Sequence, residues 1–446
     1  MHTVLLLGAG KSSSSLIDYF LEHAASENLR LVVADYSLDE AQKKIRSHPS
    51  GQAKKFDIQN EKELVSLVSE ADIVISLLPA NMHFPVALEC LKQRKNMVTA
   101  SYVSPAMQEL HEQVASSGLL FLNECGLDPG IDHMSAVKII DEIKMKGGEM
   151  LAFRSYTGGL VAPESNDNSW GYKFSWNPKN VILAGQGTAR FIENGKYKYI
   201  PYNRLFTEIE KISIEGFDDL DGYANRDSLS YRKIYNLDSI PTMIRGTLRQ
   251  AGFCKAWNVF VKIGLTDDSY DIEDSEHLTY KNLIEAFLPT VNNPEDIIKR
   301  LSDFTGLDAM GKEMKMIEWT GILSDKVIGL SKATPAKILQ NLLEERWKLG
   351  NADKDMIVMQ HQFEYIHNGK KYSHSSSLIV KGENSVYTAM SKTVGLPAAI
   401  AALQILKGNI KLKGVQIPVH PSVYEPVLAE LKNFGIIFKE NLKEIA

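Results

Sequence analysis

His2-Thr-Val-Leu-Leu-Leu-Gly-Ala-Gly-Lys-Ser-Ser-Ser-Ser15 decides how the first third of this 446-residue chain is read. The apolar run Val4–Leu7 has no polar alternation, as in a strand buried on both faces of a parallel sheet. Gly8 and Gly10 follow at once, and a helical pattern runs from Ser12 to His23. Strand, glycine turn and helix in that order predict a turn where Gly8 permits the tight bend. Gly10 would let the backbone come close to a pyrophosphate seated on the helix N-terminus, with Lys11, Ser12 and Ser13 beside it. The third small position is Ser13 rather than Gly, so the fingerprint is a variant and is weak without its context.

The context supports it. Leu29-Arg-Leu-Val-Val-Ala-Asp35 predicts a second strand ending in an acid about twenty-five residues after the glycines. That is near the offset at which a carboxylate meets a ribose 2′-hydroxyl. Such a carboxylate repels a 2′-phosphate, and Tyr36-Ser-Leu-Asp-Glu40 supplies no arginine to reverse the preference, so NAD is expected over NADP. The alternative for Asp35 is a cap on the helix that starts near Leu38.

The alternation continues through predicted strands at 53–58, 72–79 and 96–100, with a helix from Glu61 to Ser69 and another up to Ser116. So many short strands alternating with helices specify an α/β fold with a doubly wound parallel sheet. Asp57 ends the third strand, where adenine edges are often met. Ser76 and Leu77 end the fourth, near the expected path of the nicotinamide ribose. Ser101 and Tyr102 follow the fifth, within reach of a reacting carbon.

Asn123-Glu-Cys-Gly-Leu-Asp-Pro-Gly-Ile-Asp-His133 comes after the apolar strand 118–122 and before a helix predicted over 134–143. Asp128 lies between chain breakers that would hold its carboxylate still, at the strand end where open α/β sheets place ligands. An aspartate bonding its own turn would look the same locally.

The composition narrows the classes. Hydrophobic residues make up 44% and charged residues 24%, as in a globular chain of two or three domains. A formal charge of −5 gives no reason to expect a nucleic acid or an anionic membrane as partner. The apolar runs read as too short to span a bilayer, and the first strand begins too early to leave room for a targeting peptide. Cys90, Cys125 and Cys254 are far apart, and the 11 histidines form no ligand-spaced pair. A cytoplasmic protein with no metal site is expected.

Beyond Glu149 the pattern changes. Strands are expected at 150–156, 179–183, 191–200, 208–214 and 257–264, with a long loop from Gly158 to Pro178 carrying Lys173 and Ser175 among aromatic residues. A loop of this length inside a compact domain usually has a task. Asn225-Arg-Asp-Ser228 and Ile244-Arg-Gly-Thr-Leu-Arg249 bring Arg226, Arg245 and Arg249, whose planar forks match carboxylates. Helices are expected at 282–288, 294–304, 311–319 and 334–349. Strands then return at 355–365 and 375–380 around the hairpin signal Asn368-Gly369, before a long helix over 389–406.

Thr99-Ala-Ser-Tyr-Val-Ser-Pro105, the stretch from Asn123 to His133, Gly158-Gly-Leu-Val-Ala-Pro-Glu164 and Gly171-Tyr-Lys-Phe-Ser-Trp176 together give the chain a family likeness. With the two arginine segments and Asp355-Met-Ile-Val-Met-Gln-His361, the sequence resembles the glutamate-forming saccharopine dehydrogenases over nearly its whole length. The resemblance implies an N-terminal Rossmann domain, 1–124, rejoined by about 389–446. It implies an α/β substrate and dimer domain, 125–277 and 351–388, with a helical insertion at 278–350. It also implies a homodimer that oxidises the secondary amine of saccharopine to give L-glutamate and 2-aminoadipate 6-semialdehyde, reversibly, in lysine metabolism.

Carried over by residue, Ser101, Tyr102 and Asp128 would lie at the reacting centre, with Asp128 as acid/base and Tyr102 as second donor. Arg226 and Arg245-Gly246-Thr247 would hold substrate carboxylates, and Lys173 and Ser175 would lie where substrate meets cofactor. Two departures stand out. Fungal members carry a cysteine where this chain has Thr157, and they favour NADP with a basic residue near the position of Asp35. The alternatives are a related carboxynorspermidine or homospermidine synthase type of reductase, needing fewer cationic contacts, and a dinucleotide-binding regulator without turnover.

Overall fold

The computed structural model describes residues 1–217, 219–290 and 296–445. The chain divides into two compact units, one of residues 1–150, 354–357 and 365–446, the other of residues 151–353 and 358–364.

The first unit is built on a seven-stranded parallel sheet. Its strands are β1 (His2–Leu7), β2 (Leu29–Asp35), β3 (Gly51–Lys55), β4 (Ile73–Ser76), β5 (Asn96–Thr99), β6 (Leu120–Leu122) and, from far along the chain, the short strand Gly414–Gln416. The order is β3-β2-β1-β4-β5-β6 with strand Gly414–Gln416 outermost beside β6, so the strand order reverses between β1 and β4, the switch point where such sheets bind ligands. β1 is central because it is apolar on both faces: Val4, Leu5, Leu6 and Leu7 are all at most 1% exposed. Helices α1 (Ser14–His23), α2 (Leu38–Ile45), α3 (Glu61–Ser69) and α4 (His83–Lys92) cross between the first five strands. The strand expected at 53–58 lies at 51–55, which leaves Asp57 in the turn beyond it. The helix expected up to Ser116 breaks at Leu110 into α5 (Pro105–Glu109) and α6 (His111–Ser116).

The C-terminal part of the chain completes this unit. Helix Ala389–Leu406 lies beside α1, where the Ser15 amide donates to Ser391 Oγ at 3.1 Å. With 18 residues and a mean hydropathy of 1.4 it is long and apolar enough to cross a membrane, contrary to the reading that every apolar run is too short. Its window is 78% buried within the protein, which accounts for its composition. Helix Pro421–Leu431 meets α7 (Ile131–Met145), where the Tyr424 hydroxyl donates to Asp141 Oδ2 at 2.8 Å. The unit therefore extends through α7 to Met150, past residue 124. Asn368 and Gly369 both take positive φ, 51° and 74°, as a two-residue hairpin turn requires.

In the second unit, β7 (Glu149–Val161) runs parallel to β12 (Thr242–Arg249), and β11 (Leu220–Ala224) and β10 (Ile209–Ile212) follow antiparallel. The hairpin of β8 (Thr188–Glu193) and β9 (Lys196–Pro201) joins through Met243 opposite Ile192. The long loop buries Trp170 and Tyr172 against Phe253, Trp257 and Trp347. Two expected strands are helices. Residues 178–182 coil because Pro178 sits at the first helical position and Asn177 accepts the Lys179 amide at 3.0 Å. Residues 253–262 coil because Phe253, Ala256, Trp257 and Phe260 repeat at three and four, a period that outweighs local β propensity. Helices at 280–287, 312–320 and 335–346 match the expected lobe. The fourth is described over 297–305, and its expected start at Pro294 lies outside the described residues.

Candidate active site

The glycine turn fits a dinucleotide. Gly8 has φ 102°, so the bend itself demands glycine. Gly10 is different: its φ of −67° suits any residue, and a Cβ there would meet nothing within 4 Å. The chain's own packing does not require glycine at Gly10, so the demand for open space is one that a bound pyrophosphate would make. The half-buried Asp35 accepts the Ala9 amide at 2.6 Å and the Ser37 amide at 2.8 Å, which locks strand, turn and helix cap together. Each carboxylate oxygen keeps a second lone pair for a ribose hydroxyl. Asp57 accepts the Gln59 amide at 2.9 Å and, with Asn60 and Lys62, lines a shallow open hollow.

Lys44 was not singled out in the sequence because it lies nine residues beyond Asp35 on α2. Its ammonium donates to the Gly10 carbonyl and, at 2.8 Å, to Ser13 Oγ. Burial pulls its pKa down to about 8 against the pull of nearby Glu40, Asp35 and Asp18. A cation therefore stands at the turn that lacks an adjacent arginine.

Along the sheet's carboxyl rim, the Tyr102 hydroxyl donates to Asp128 Oδ1 at 3.2 Å. Tyr102 is 36% exposed and Asp128 half-buried, so both are open to a ligand. The backbone fixes this pair. The Glu124 amide donates to the Ser101 carbonyl at 3.0 Å, and Glu124 Oε1 accepts the Val103 amide at 3.0 Å, clamping the Tyr102 segment from both sides. Glu124 is itself held by buried His133 at 2.8 Å. Beyond Asp128 the chain turns at Gly130, where φ is 147° and any Cβ would collide with Gly126, so only glycine fits.

Ser76, at the end of β4, and Ser101, just past β5, meet the two nitrogens of one ring. Ser76 Oγ is 2.8 Å from His83 Nδ1, and Ser101 Oγ is 2.7 Å from His83 Nε2. Burial pulls His83 down to about 4, so its imidazole is neutral near neutral pH. No spacing rule would have found His83 at the start of α4. Leu77 is half-buried, with its amide on the Leu7 carbonyl at 2.9 Å. Ser12 is half-buried and Ser13 buried in the turn, while Lys11 is exposed.

In the second unit the Asn225 amide donates to the Arg245 carbonyl at 2.8 Å, and the Arg245 amide to Ser228 Oγ at 2.9 Å. The Arg226 and Arg245 segments are thus fastened to each other. Arg226 is exposed with φ 34°; Arg245 is buried, its guanidinium 4.3 Å from the Tyr231 ring centroid. Gly246 pairs with Ala224, and Thr247, half-buried, with Tyr223.

Arg249 lies among aromatic rings. It is buried with its guanidinium 5.4 Å from the Tyr172 and Phe253 ring centroids, and among the described residues its Nε has no hydrogen-bond partner. Its Nη1 donates to the Leu248 carbonyl at 3.0 Å, and the rings are within cation–π range. Lys173, read as a cofactor contact, is 4% exposed and donates to Asp167 and Asp353 at 2.7 Å each. Burial alone would lower its pKa, but these carboxylates raise it. Ser175 is buried in the same loop, and Thr157 Oγ1 is buried with no hydrogen-bond partner among the described residues.

Residues 4–122 match the saccharopine dehydrogenase NADP binding domain, and residues 126–436 the saccharopine dehydrogenase C-terminal domain. The chain belongs to the saccharopine dehydrogenase family. Among its relatives, saccharopine dehydrogenase (NADP(+), L-glutamate-forming) of Saccharomyces cerevisiae is 35% identical over 449 residues, 98% of each chain. Mitochondrial alpha-aminoadipic semialdehyde synthase of Mus musculus is 35% identical over 445 residues, 98% of this chain and 47% of the mouse protein, so this chain spans about half the length of that relative. The solved structure of apo saccharopine dehydrogenase (L-Glu forming) from Saccharomyces cerevisiae superimposes with a TM-score of 0.88 at 33% identity, covering 100% of both chains. The resemblance read from the Asn123–His133 stretch is therefore borne out, as is the α/β fold with a Rossmann sheet. The N-terminal sheet is a pyridine-nucleotide-binding domain.

Proposed function

We propose that this protein is a glutamate-forming saccharopine dehydrogenase that oxidises the secondary amine of saccharopine with a pyridine dinucleotide. The observation that carries the reading is the Tyr102–Asp128 hydrogen bond on the rim of a dinucleotide-type sheet. The chemistry that a bound dinucleotide would supply is acceptance of the hydride from the lysine-derived carbon. Asp128 takes the proton from the substrate amine and orients the water that adds to the resulting imine. Collapse of that adduct breaks the C–N bond and gives L-glutamate and 2-aminoadipate 6-semialdehyde. Tyr102 gives its one hydroxyl proton to Asp128 while that group is a carboxylate; once Asp128 has taken up a proton, the hydroxyl is released to donate to the departing nitrogen. Ser101 contacts the substrate. Arg226 and Arg245-Gly246-Thr247 hold its carboxylates through planar guanidinium forks and neighbouring polar groups.

Gly8, Gly10, Lys11, Ser12 and Ser13 would hold the pyrophosphate, Asp35 the ribose, Asp57 the adenine end, and Ser76 and Leu77 the nicotinamide end. NAD is our preferred cofactor because a carboxylate at Asp35 would accept from a ribose 2′-hydroxyl and repel a 2′-phosphate. Relatives are named for NADP(+), and Lys44 gives this chain a cation with which to tolerate a 2′-phosphate. Lys173 and Ser175 brace the long loop. We read residues 278–350 as a helical insertion in the substrate-binding part, and the protein as a cytoplasmic homodimer with reduced thiols. A carboxynorspermidine or homospermidine type of reductase would have little use for two fastened arginine segments.

The test is to incubate the protein with saccharopine and either cofactor, following reduced nicotinamide and the amino-acid product. Glutamate is expected. Lysine, or no reduced cofactor with either dinucleotide, would overturn the reading.

A further inference from the structure

We propose that Tyr36 stacks on the adenine ring of the dinucleotide and so holds the end of the cofactor farthest from the reaction. The proposal deepens the cofactor site and rests on the ribose role given above to Asp35. Tyr36 is 73% exposed, and among the described residues its ring stacks on no other ring and its hydroxyl has no hydrogen-bond partner. A single aromatic in solvent is ordinary on a protein surface. This one differs in the backbone beneath it and in its place on the sheet.

Tyr36 sits between two residues that are tied down. On one side the Asp35 carboxylate accepts the Ala9 and Ser37 amides, and the Asp35 carbonyl accepts the Phe56 amide at 2.8 Å. On the other, Ser37 is the N-cap of α2, its Oγ accepting the Glu40 amide. The main chain of Tyr36 is thus held in advance. Its side chain has only two torsions to fix when a ligand arrives, so ordering the ring costs little entropy.

The chemistry of the nucleotide fixes where the base must go. Its ribose carries the 2′-hydroxyl and the base on adjacent carbons, so the base follows directly from a ribose held at Asp35. The pyrophosphate lies toward β1 and α1, which sends the base the other way, toward β3. There Lys55 stands opposite Asp35 in register, and the turn just past β3 brings Asp57. Asp57 Oδ1 accepts the Gln59 amide, while its Oδ2 has no partner among the described residues and can accept from the adenine amino group. Tyr36 gives the base a face to lie on, and Asp57 meets its edge. A ring face reads the base and not the 2′ substituent. Tyr36 therefore adds affinity for either dinucleotide and leaves the choice between them to Asp35 and Lys44.

The experiment measures dissociation constants by titration calorimetry on the full chain and on Tyr36→Ala and Tyr36→Phe. NAD and NADP are titrated directly; AMP and nicotinamide mononucleotide are read as competitors against NAD. Y36A is expected to weaken NAD, NADP and AMP by one common factor of about ten, the usual weight of one base–aromatic stack. Nicotinamide mononucleotide should bind Y36A as it binds wild type, and Y36F should keep every constant within about twofold. Thermal unfolding of Y36A should match wild type, because the exposed ring is not part of the packing. Unchanged dinucleotide binding in Y36A, a shift in its ratio of NAD to NADP affinity, or equal losses of AMP and nicotinamide mononucleotide would overturn the proposal. Binding needs no turnover, so wild-type protein that binds the dinucleotides without oxidising saccharopine sinks the functional reading alone.

Discussion

The Tyr102 hydroxyl and Asp128 Oδ1 lie 3.2 Å apart, although 26 residues and the whole of β6 separate them in the chain. Glu124 makes that meeting obligatory by bonding the main chain on both sides of Tyr102. If Asp128 is the acid/base, Asp128→Asn lowers kcat by roughly a hundredfold, the usual weight of a general base. Tyr102→Phe costs about tenfold, and the double variant should lose much less than the product of the two, because both changes break one unit. Thermal unfolding should barely move, since both side chains reach solvent. Full multiplicativity in the double variant would show that the hydrogen bond has no part in turnover.

Cofactor choice divides between Asp35 and Lys44. Asp35→Arg should raise the ratio of kcat/KM for NADP over NAD at least about tenfold, one unit of charge complementarity at the ribose edge. It should also lower stability, because the Ala9 and Ser37 amides lose their acceptor. Lys44→Met should move the same ratio the other way. In the wild type, KM for NADP should climb above pH about 8, where the Lys44 ammonium gives up its proton, and K44M should flatten that climb. A ratio that ignores both substitutions would place the ribose edge elsewhere.

Acid should weaken the fold through His83. Its pKa is held near 4 against an ordinary 6.5, so the unfolded chain binds a proton first as pH falls. The associated stability is complete above pH 6.5 and is lost as pH falls through 4, worth at most roughly 3 kcal/mol. Urea unfolding from pH 7 to 4 should show a shallower decline for His83→Gln than for wild type. Parallel curves would mean the ring is not buried as neutral imidazole.

Lys173 offers a clean separation of structural and cofactor roles. Lys173→Met should destabilise the protein by about 1–3 kcal/mol, because Asp167 and Asp353 then face each other without their shared cation. Dinucleotide KM should stay within about twofold. A large rise in that constant at unchanged stability would return Lys173 to the cofactor.

Much of this could be read in advance because local rules carried it. The unbroken apolar run of β1, the Gly8 bend and the acid at Asp35 each follow from backbone sterics and a fixed offset. The hairpin at Asn368-Gly369 needed only the φ preferences of two residues. The helix at 253–262 departs from the expected strand because its three-four repeat begins at Phe253, ahead of the β-branched and aromatic stretch that reads as a strand.

The sequence by itself determined a doubly wound dinucleotide fold, its family and the identity of its polar rim, since those reside in short-range pattern and motif. Only the folded chain decided which of those polar groups are available. It spent Lys173 on two carboxylates, surrounded Arg249 with aromatic rings, and brought Lys44 and His83 to places that no spacing announced. The physical reason is that side-chain partners are chosen by proximity across strands and helices, and that proximity is set by packing between segments hundreds of residues apart.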